Sequence, residues 1–297
     1  MNDPDSIRQP VRRRSKVLVV VVAFQRRWNE IGAVPWLLHE ARAAQAQNSV
    51  RECPVVDRVL VYDNSPLPVA EPDAEDPPGI IYVHDPINSG TRGAYQKALE
   101  LCRCEGQDWI LLLDQDTRLP DNFLARAAEA RAYEPDVLVP FVRVRSHIVS
   151  PASLTALGMI RPVRAMVLPA GRTATAIASG SLVRPWVLRL LEHAPPQLWL
   201  DYVDHWLFRA IHTAGYRIDV IDVEINHDLS VSDIRNVPSD RLRSVWAAEW
   251  LFVQSLGLPA RLFYRLRLAS RLFVFGIVCT RCARQLARWM CSKGAGA

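Results

Sequence analysis

Val17-Leu18-Val19-Val20-Val21-Val22 is apolar at every position, and a basic leader spans residues 12–16 ahead of it. Successive side chains of a strand point to opposite faces, so a run without polar alternation suits a strand covered on both sides, as in a parallel sheet flanked by helices. A helical stretch over residues 29–47 follows. A second apolar run, Val59-Leu60-Val61-Tyr62, then ends in the turn-forming triplet Asp63-Asn64-Ser65. Strand, helix, strand is the unit from which parallel sheets are built. Beyond a Pro- and acid-rich loop over residues 66–78, the same alternation continues with a strand at 80–83, a helix at 93–102 and a strand at 109–113. The pattern predicts a doubly wound α/β fold with its ligand at the carboxyl ends of the strands.

The second half is less regular. It reads as an extended stretch at 137–144, a small-residue segment at 176–183, a helix at 203–214, a strand at 217–223 and two closing helices at 239–255 and 259–290. No linker is rich enough in Gly or Ser to separate independent units. The expected organisation is a leader (1–15), one mixed α/β domain (16–235) and a helical, basic amphipathic extension (236–297).

Composition narrows the class. With 49% hydrophobic and 23% charged residues in 297, the chain buries a sizeable core. Its 13 glycines and 21 prolines show no period, which excludes collagen-like and low-complexity chains. No apolar run approaches the ~20 residues of a membrane-spanning helix, and no secretory signal pattern opens the chain. A cytoplasmic location is therefore expected, with the six irregularly spaced cysteines reduced. The net charge of +5 is a property of the tail. Eight Arg or Lys and no acid lie from Arg261 onward, leaving 28 basic residues against 31 acids in the preceding 260. That asymmetry points to an anionic partner for the tail. Nucleic acid is not the expected one, because the basic residues sit at the ends and no nucleic-acid module is present.

Four constellations could carry chemistry. Asp114-Gln115-Asp116 follows the apolar strand Ile110-Leu111-Leu112-Leu113, so two carboxylates emerge where a ligand would lie. Mg or Mn takes one or two such carboxylates plus substrate phosphate oxygens, although a solvated strand-end loop explains the triplet equally well. Asn88-Ser89-Gly90-Thr91-Arg92-Gly93 opens a helix and offers amides and a cation to a diphosphate, or is simply a glycine-eased helix start. Asp201-Tyr202-Val203-Asp204-His205-Trp206 puts acids in a first helical turn, favoured there by the helix dipole and equally suited to a general base. His227 follows the strand before it and is either a metal ligand or a strand-end histidine. Cys279 and Cys282 lack the second pair that a structural zinc site needs.

Taken in order, Val20-Val21-Val22-Ala23-Phe24-Gln25-Arg26, Val61-Tyr62-Asp63-Asn64-Ser65, Asn88-Ser89-Gly90, Leu113-Asp114-Gln115-Asp116, Ser179-Gly180-Ser181, Asp201-Tyr202-Val203-Asp204 and His227 resemble the family 2 inverting glycosyltransferases, particularly their rhamnosyltransferase-like branch. The resemblance covers about residues 16–230. It implies the A-type glycosyltransferase fold, a nucleotide-diphosphate sugar donor (dTDP-rhamnose, or a UDP-sugar), a divalent cation (Mg or Mn), and a carbohydrate or lipid-linked acceptor in envelope polysaccharide synthesis. Carried over by position, Phe24, Gln25 and Asp63 border the nucleobase and ribose, and Asn88 and Arg92 lie near the diphosphate. Asp114 lies by the ribose or sugar, Asp116 holds the metal and His227 is a third ligand. Ser179, Gly180, Asp201 and His205 form the acceptor side, and Asp204 is the catalytic base. The family often carries an acid two residues after that aspartate, where Trp206 stands here. A transferase-like subunit that binds nucleotide or an anionic surface without turnover is the alternative reading. In the tail, Arg261, Arg265, Arg267, Arg271, Arg281, Arg284 and Arg288 alternate with Leu262, Phe263, Leu266, Leu268, Leu272, Phe273, Phe275, Ile277 and Trp289, and Arg281, Arg284 and Arg288 share one helical face; this suits a peripheral position on the inner face of the cell membrane or packing on the domain or a partner.

Overall fold

A computed structural model describes residues 15–46, 54–69, 79–130, 134–166, 173–226 and 237–294. The central sheet contains β1 (Lys16–Ala23), β2 (Val55–Asp63), β3 (Ile80–His84), β4 (Trp109–Asp114), β5 (Val137–Val144), β6 (His147–Ser150), β10 (Ser181–Val183) and β11 (Ile218–Asn226). Its order is β11-β5-β10-β4-β1-β2-β3, with β6 paired to β5. β1, β2, β3 and β4 run parallel, as do β5 and β11, whereas β10 is antiparallel to both of its neighbours. Three short strands, β7 (Ala152–Leu154), β8 (Ile160–Pro162) and β9 (Thr173–Thr175), form a second small sheet.

The apolar first strand does what its pattern requires. Leu18 and Val20 enter one core, while Val17, Val19, Val21 and Ala23 enter another on the opposite face. β4 divides the same way, with Ile110 and Leu112 on the first side and Trp109, Leu111 and Leu113 on the second. Helix α2 (Gly90–Glu105) covers one face; α1 (Ala33–Ala46) and α3 (Phe123–Ala130) cover the other. α1 begins later than residue 29 because residues 28–30 form a single 3-10 turn, with the Glu30 carboxylate accepting from the Arg27 amide at 3.0 Å. The loop expected over 66–78 lies mostly outside the described residues, as does the leader.

After a short α4 (Pro185–Leu188), α5 (Val203–Thr213) leads to β11, and α6 (Ser239–Gln254), α7 (Leu258–Val278) and α8 (Thr280–Gly294) close the fold. The single helix expected over 259–290 is two. Cys279 is extended (φ −152°, ψ 88°) and its sulfur accepts the Cys282 amide at 3.4 Å, so it starts α8 as a capping residue instead of continuing α7. The three C-terminal helices share a core of their own that includes Trp246, Tyr264, Leu268, Leu286 and Trp289. They join the α/β part through Phe252, Leu256 and Ala260, which pack with Leu154, Tyr202 and Trp206.

Candidate active site

Strand order reverses between β1 and β4: the chain steps outward from β1 to β2 and β3 on one side, then returns to the other side. Connections that leave neighbouring strands in opposite directions open a crevice at their carboxyl ends. A cavity of about 510 Å³ lies there. Phe24 follows β1, Asn64 follows β2, Asn88, Thr91 and Tyr95 come from the β3–α2 region, Asp114 ends β4, and Gln115 and Asp116 follow it. Trp199, Asp201, Tyr202 and Asp204 close it from the approach to α5, and Arg241 reaches in from α6. Phe24, Asn88, Asp114, Asp116, Asp201 and Asp204, singled out from the sequence, thus face one space. Gln25, Asp63, Arg92, Ser179, Gly180 and His205 do not line it.

Asp63, expected beside a nucleobase or ribose, does not line the cavity. It is fully buried, and its carboxylate organises the strand end. Oδ1 accepts the Ser65 amide at 2.9 Å and the Ser65 hydroxyl, and Oδ2 accepts Tyr82 Oη at 2.6 Å and the Val69 amide at 3.2 Å. Burial pushes this carboxyl up, but the hydrogen bonds from Ser65 and Tyr82 outweigh it and hold the group below the ordinary aspartate value. The turn built this way positions its neighbours. Ser65 Oγ accepts the Gln25 amide at 2.7 Å, and Asn64 Oδ1 accepts the Gly90 amide at 3.0 Å. Gln25 itself has φ 54° and an exposed side chain.

The start of α2 is equally prescribed. Asp85 accepts the Ile87 and Ser89 amides at 3.1 and 2.7 Å, and Asn88 has φ 54°. Gly90 has φ +65°, and a Cβ there would stand 2.6 Å from both the ring and the carbonyl oxygen of Trp199, so only glycine lets the tryptophan close over the helix. Arg92, expected near a diphosphate, holds this contact. Its amide donates to Trp199 O at 3.0 Å, and Nη1 donates to the carbonyls of Ala194 and Pro195 at 3.0 and 2.9 Å. A guanidinium committed to two carbonyls braces the Trp199 segment. Among the described residues, the cation that lines the cavity is Arg241.

Ser179 and Gly180, expected on the acceptor side, sit behind Asp114 and do not line the cavity. Ser179 is buried; its hydroxyl accepts the Asp114 amide at 3.1 Å and hydrogen-bonds Thr117 Oγ1. Gly180 has φ +81°, and its missing side chain leaves room for Ile225 and Pro140. Both fix the turn after β4. A backbone bridge between Arg118 and Asn226 brings the end of β11 alongside the same turn. His227 lies outside the described residues.

Tyr202 enters α5 in the left-handed region, φ 60°, so among the described residues three of the five non-glycine residues with positive φ (Gln25, Asn88 and Tyr202) lie at or beside the cavity. Such conformations persist where surrounding contacts over-determine them, and they concentrate at functional sites. Asp204 occupies the first turn of α5, and its Oδ1 accepts the His205 amide at 2.8 Å. Asp201 is bound by the Arg241 guanidinium, with Nη2 at 2.7 Å from Oδ1. His205 turns away from the cavity toward the small sheet, its Nδ1 lying 2.8 Å from Thr175 Oγ1 and its ring 5.4 Å from that of Tyr202.

Sequence reasoning passed over Tyr95 and Arg241. Tyr95 is buried at the cavity wall. Burial raises its phenol well above the ordinary value, and the fields of Asp114 and Asp204 push it further the same way, so it is a neutral donor set between the two carboxylate groups. One amphipathic period of α2 gives no sign of that. Arg241 is one of several arginines on a helix far downstream, and only tertiary packing turns it toward Asp201.

Asp114 and Asp116 supply hard oxygen donors on one side of the cavity and so suit Mg or Mn in type. Among the described residues, no cluster of three His, Cys, Asp or Glu is assembled, so a cation there would draw its remaining ligands from elsewhere.

Residues 19–184 match the model of the family described as glycosyl transferase family 2. No curated protein matches by sequence. The fold is similar to that of GalNAc-T7 in a crystal structure with UDP, GalNAc and Mn2+, with a TM-score of 0.53 and 9% identity over 84% of this chain. The chain spans about half, 54%, of that protein. It also aligns with S. aureus TarS residues 1–349 over 90% of its own length and 73% of that chain, at 15% identity and a TM-score of 0.44. The mostly parallel sheet with helices on both faces is the A-type glycosyltransferase fold.

Proposed function

Because the chain belongs to glycosyl transferase family 2, we propose that its central cavity binds a nucleotide-diphosphate sugar and transfers the sugar, with inversion, to a hydroxyl of a glycan or lipid-linked acceptor. The observation that carries this reading is the convergence of Asp114, Asp116 and Asp204 on one cavity at the switch point of the sheet. Asp204 would accept the proton of the acceptor hydroxyl as that oxygen attacks the anomeric carbon from the face opposite the diphosphate. The bond from the anomeric carbon to the diphosphate oxygen breaks, and the electron pair leaves with the nucleoside diphosphate. Phe24 and Asn88 would border the nucleotide. Tyr95 would donate to the sugar or a carboxylate, and Arg241, paired with Asp201, would keep the acceptor side closed. A divalent cation held by Asp116, with Asp114 beside it and His227 as a further ligand, would neutralise the leaving diphosphate. The Mn2+ and UDP in the GalNAc-T7 crystal support Mn as the first cation to test and a UDP-sugar beside dTDP-rhamnose as donor. We place the reaction on the cytoplasmic side, where nucleotide sugars are available.

Thermal melts with UDP- and dTDP-sugars test donor binding. A ligand that binds only the folded state stabilises by RT ln(1 + [L]/Kd), about 2.7 kcal/mol at a hundred times Kd. One of the donors is expected to raise the melting temperature more with Mn2+ than with EDTA, and Asp116→Ala is expected to lose the metal-dependent part. An equal rise with and without Mn2+, retained in Asp116→Ala, would contradict the assignment of Asp116.

A further inference from the structure

Helix α7 is apolar on two opposite sides. Ala260, Tyr264 and Leu268 are buried against the rest of the protein, yet Leu258, Leu262, Leu266, Phe273 and Ile277 are 65, 54, 69, 72 and 73% exposed. At 3.6 residues per turn these five fall within about 100° of one another and opposite the buried face, forming a stripe along a helix about 31 Å long. Scattered exposed leucines are ordinary, whereas a continuous apolar stripe on an otherwise packed helix marks an interaction surface. Arg261 and Arg265, both exposed, lie within about 60° of one edge of the stripe.

Charge decides what covers it. None of the 48 residues after Glu249 is acidic, and Arg267 and Arg271 are already paired with Glu249 on the inner side. A second copy docked symmetrically on the stripe would bring arginine edges together with no acid on α7 or α8 to neutralise them. A bilayer with anionic headgroups meets both the apolar stripe and its basic edge. Four arginines along the helix oppose a spanning position, and among the described residues no helix is long and apolar enough to cross a membrane.

We propose that α7 lies in the plane of an anionic bilayer interface, with Leu258, Leu262, Leu266, Phe273 and Ile277 at the acyl boundary and Arg261 and Arg265 among the headgroups. Within the basic, apolar-interleaved tail that the sequence pattern offers to a membrane, the carrier is therefore the outward face of α7. A second cleft of about 420 Å³ runs from Phe263 and Arg267 of α7 to Tyr202, which also lines the central cavity. The advantage this gives a lipid-linked acceptor rests on the transferase reading; attachment to the bilayer does not.

Flotation of the full chain with vesicles of equimolar phosphatidylglycerol and phosphatidylcholine, and with phosphatidylcholine alone, tests the proposal, alongside light scattering for oligomeric state. The chain is expected to float with the anionic vesicles in a salt-sensitive manner. Combining Leu262→Gln, Leu266→Gln, Phe273→Gln and Ile277→Gln should lower partitioning at least about a hundredfold, and Arg265→Gln about fivefold. All five positions are exposed, so unchanged melting and donor-induced stabilisation will report an intact fold. Absence of wild-type binding, equal binding by the fourfold variant, or a dimer that this variant dissolves without any vesicle binding would each overturn it. Vesicle binding without donor binding would count against the transferase reading alone, and donor turnover without vesicle binding against this proposal alone.

Discussion

Asp204→Asn is expected to reduce kcat by at least about a hundredfold while donor affinity stays near that of the unaltered protein. Removing a general base removes an interaction made in the transition state, and such groups contribute about 10²–10⁴-fold. The substitution is sterically neutral here. Asp204 Oδ1 accepts the His205 amide, and an asparagine carbonyl accepts it equally well. Asp201→Asn makes the contrast. Its carboxylate is already held by Arg241, so loss of its charge loosens the cavity wall and should raise KM more than it lowers kcat. If Asp204→Asn keeps full activity while Asp201→Asn abolishes it, the base has been assigned to the wrong carboxylate.

Glu249→Ala should be the most destabilising single change outside the α/β core. Glu249 is buried, and its carboxylate accepts Tyr264 Oη at 3.0 Å and Arg271 Nη2 at 2.9 Å, with Arg267 at 3.5 Å. Burial lowers the Arg271 pKa, but its bonds to Glu249 outweigh that and raise it above the ordinary value, so the guanidinium is charged in the folded protein. Removing one partner of a buried pair costs about 3–5 kcal/mol, and the arginines, each about a third exposed, place the expected loss near the lower end. For a chain of this size that is on the order of 5–10 °C in melting temperature. Glu249→Gln, which keeps an acceptor for Tyr264, should lose less. Burial raises the Tyr202 phenol well above the ordinary value and the field of Glu249 adds to it, so the same carboxylate also acts on the residue that enters α5. A Glu249→Ala protein that melts with the wild type would contradict this account of how the C-terminal helices are tied to the cavity.

The α/β half was legible because each strand announces itself locally. The run from Val17 to Val22 has no polar position, so it had to be buried on both faces, and the turn residues after each strand marked where a ligand could lie. Strand β10 was not legible: three residues carry no period, and its antiparallel insertion between β4 and β5 is set by their hydrogen bonds. The break at Cys279 escaped notice for a different reason, since a cysteine capping a helix has no strong sequence signal. Polar residues in a motif also look alike whether they face the ligand or support those that do. Asp63, Arg92, Ser179 and Gly180 do not line the cavity, and only burial and hydrogen-bond partners separate them from Asp114, Asp116 and Asp204, which do. Tyr95 and Arg241 have the converse history: nothing near them in sequence marks them, and packing alone turns them into the cavity.

Release of nucleoside diphosphate from UDP- and dTDP-sugars, measured on the full chain with Mn2+ in the presence of glycan and polyprenyl-phosphate-linked acceptors, tests the central claim most directly. At least one donor should be consumed with a stoichiometric glycosylated product, and consumption should stop in EDTA. Donor that binds but is never consumed across the acceptor panel would contradict the claim and make the chain a nucleotide-binding subunit with a transferase fold.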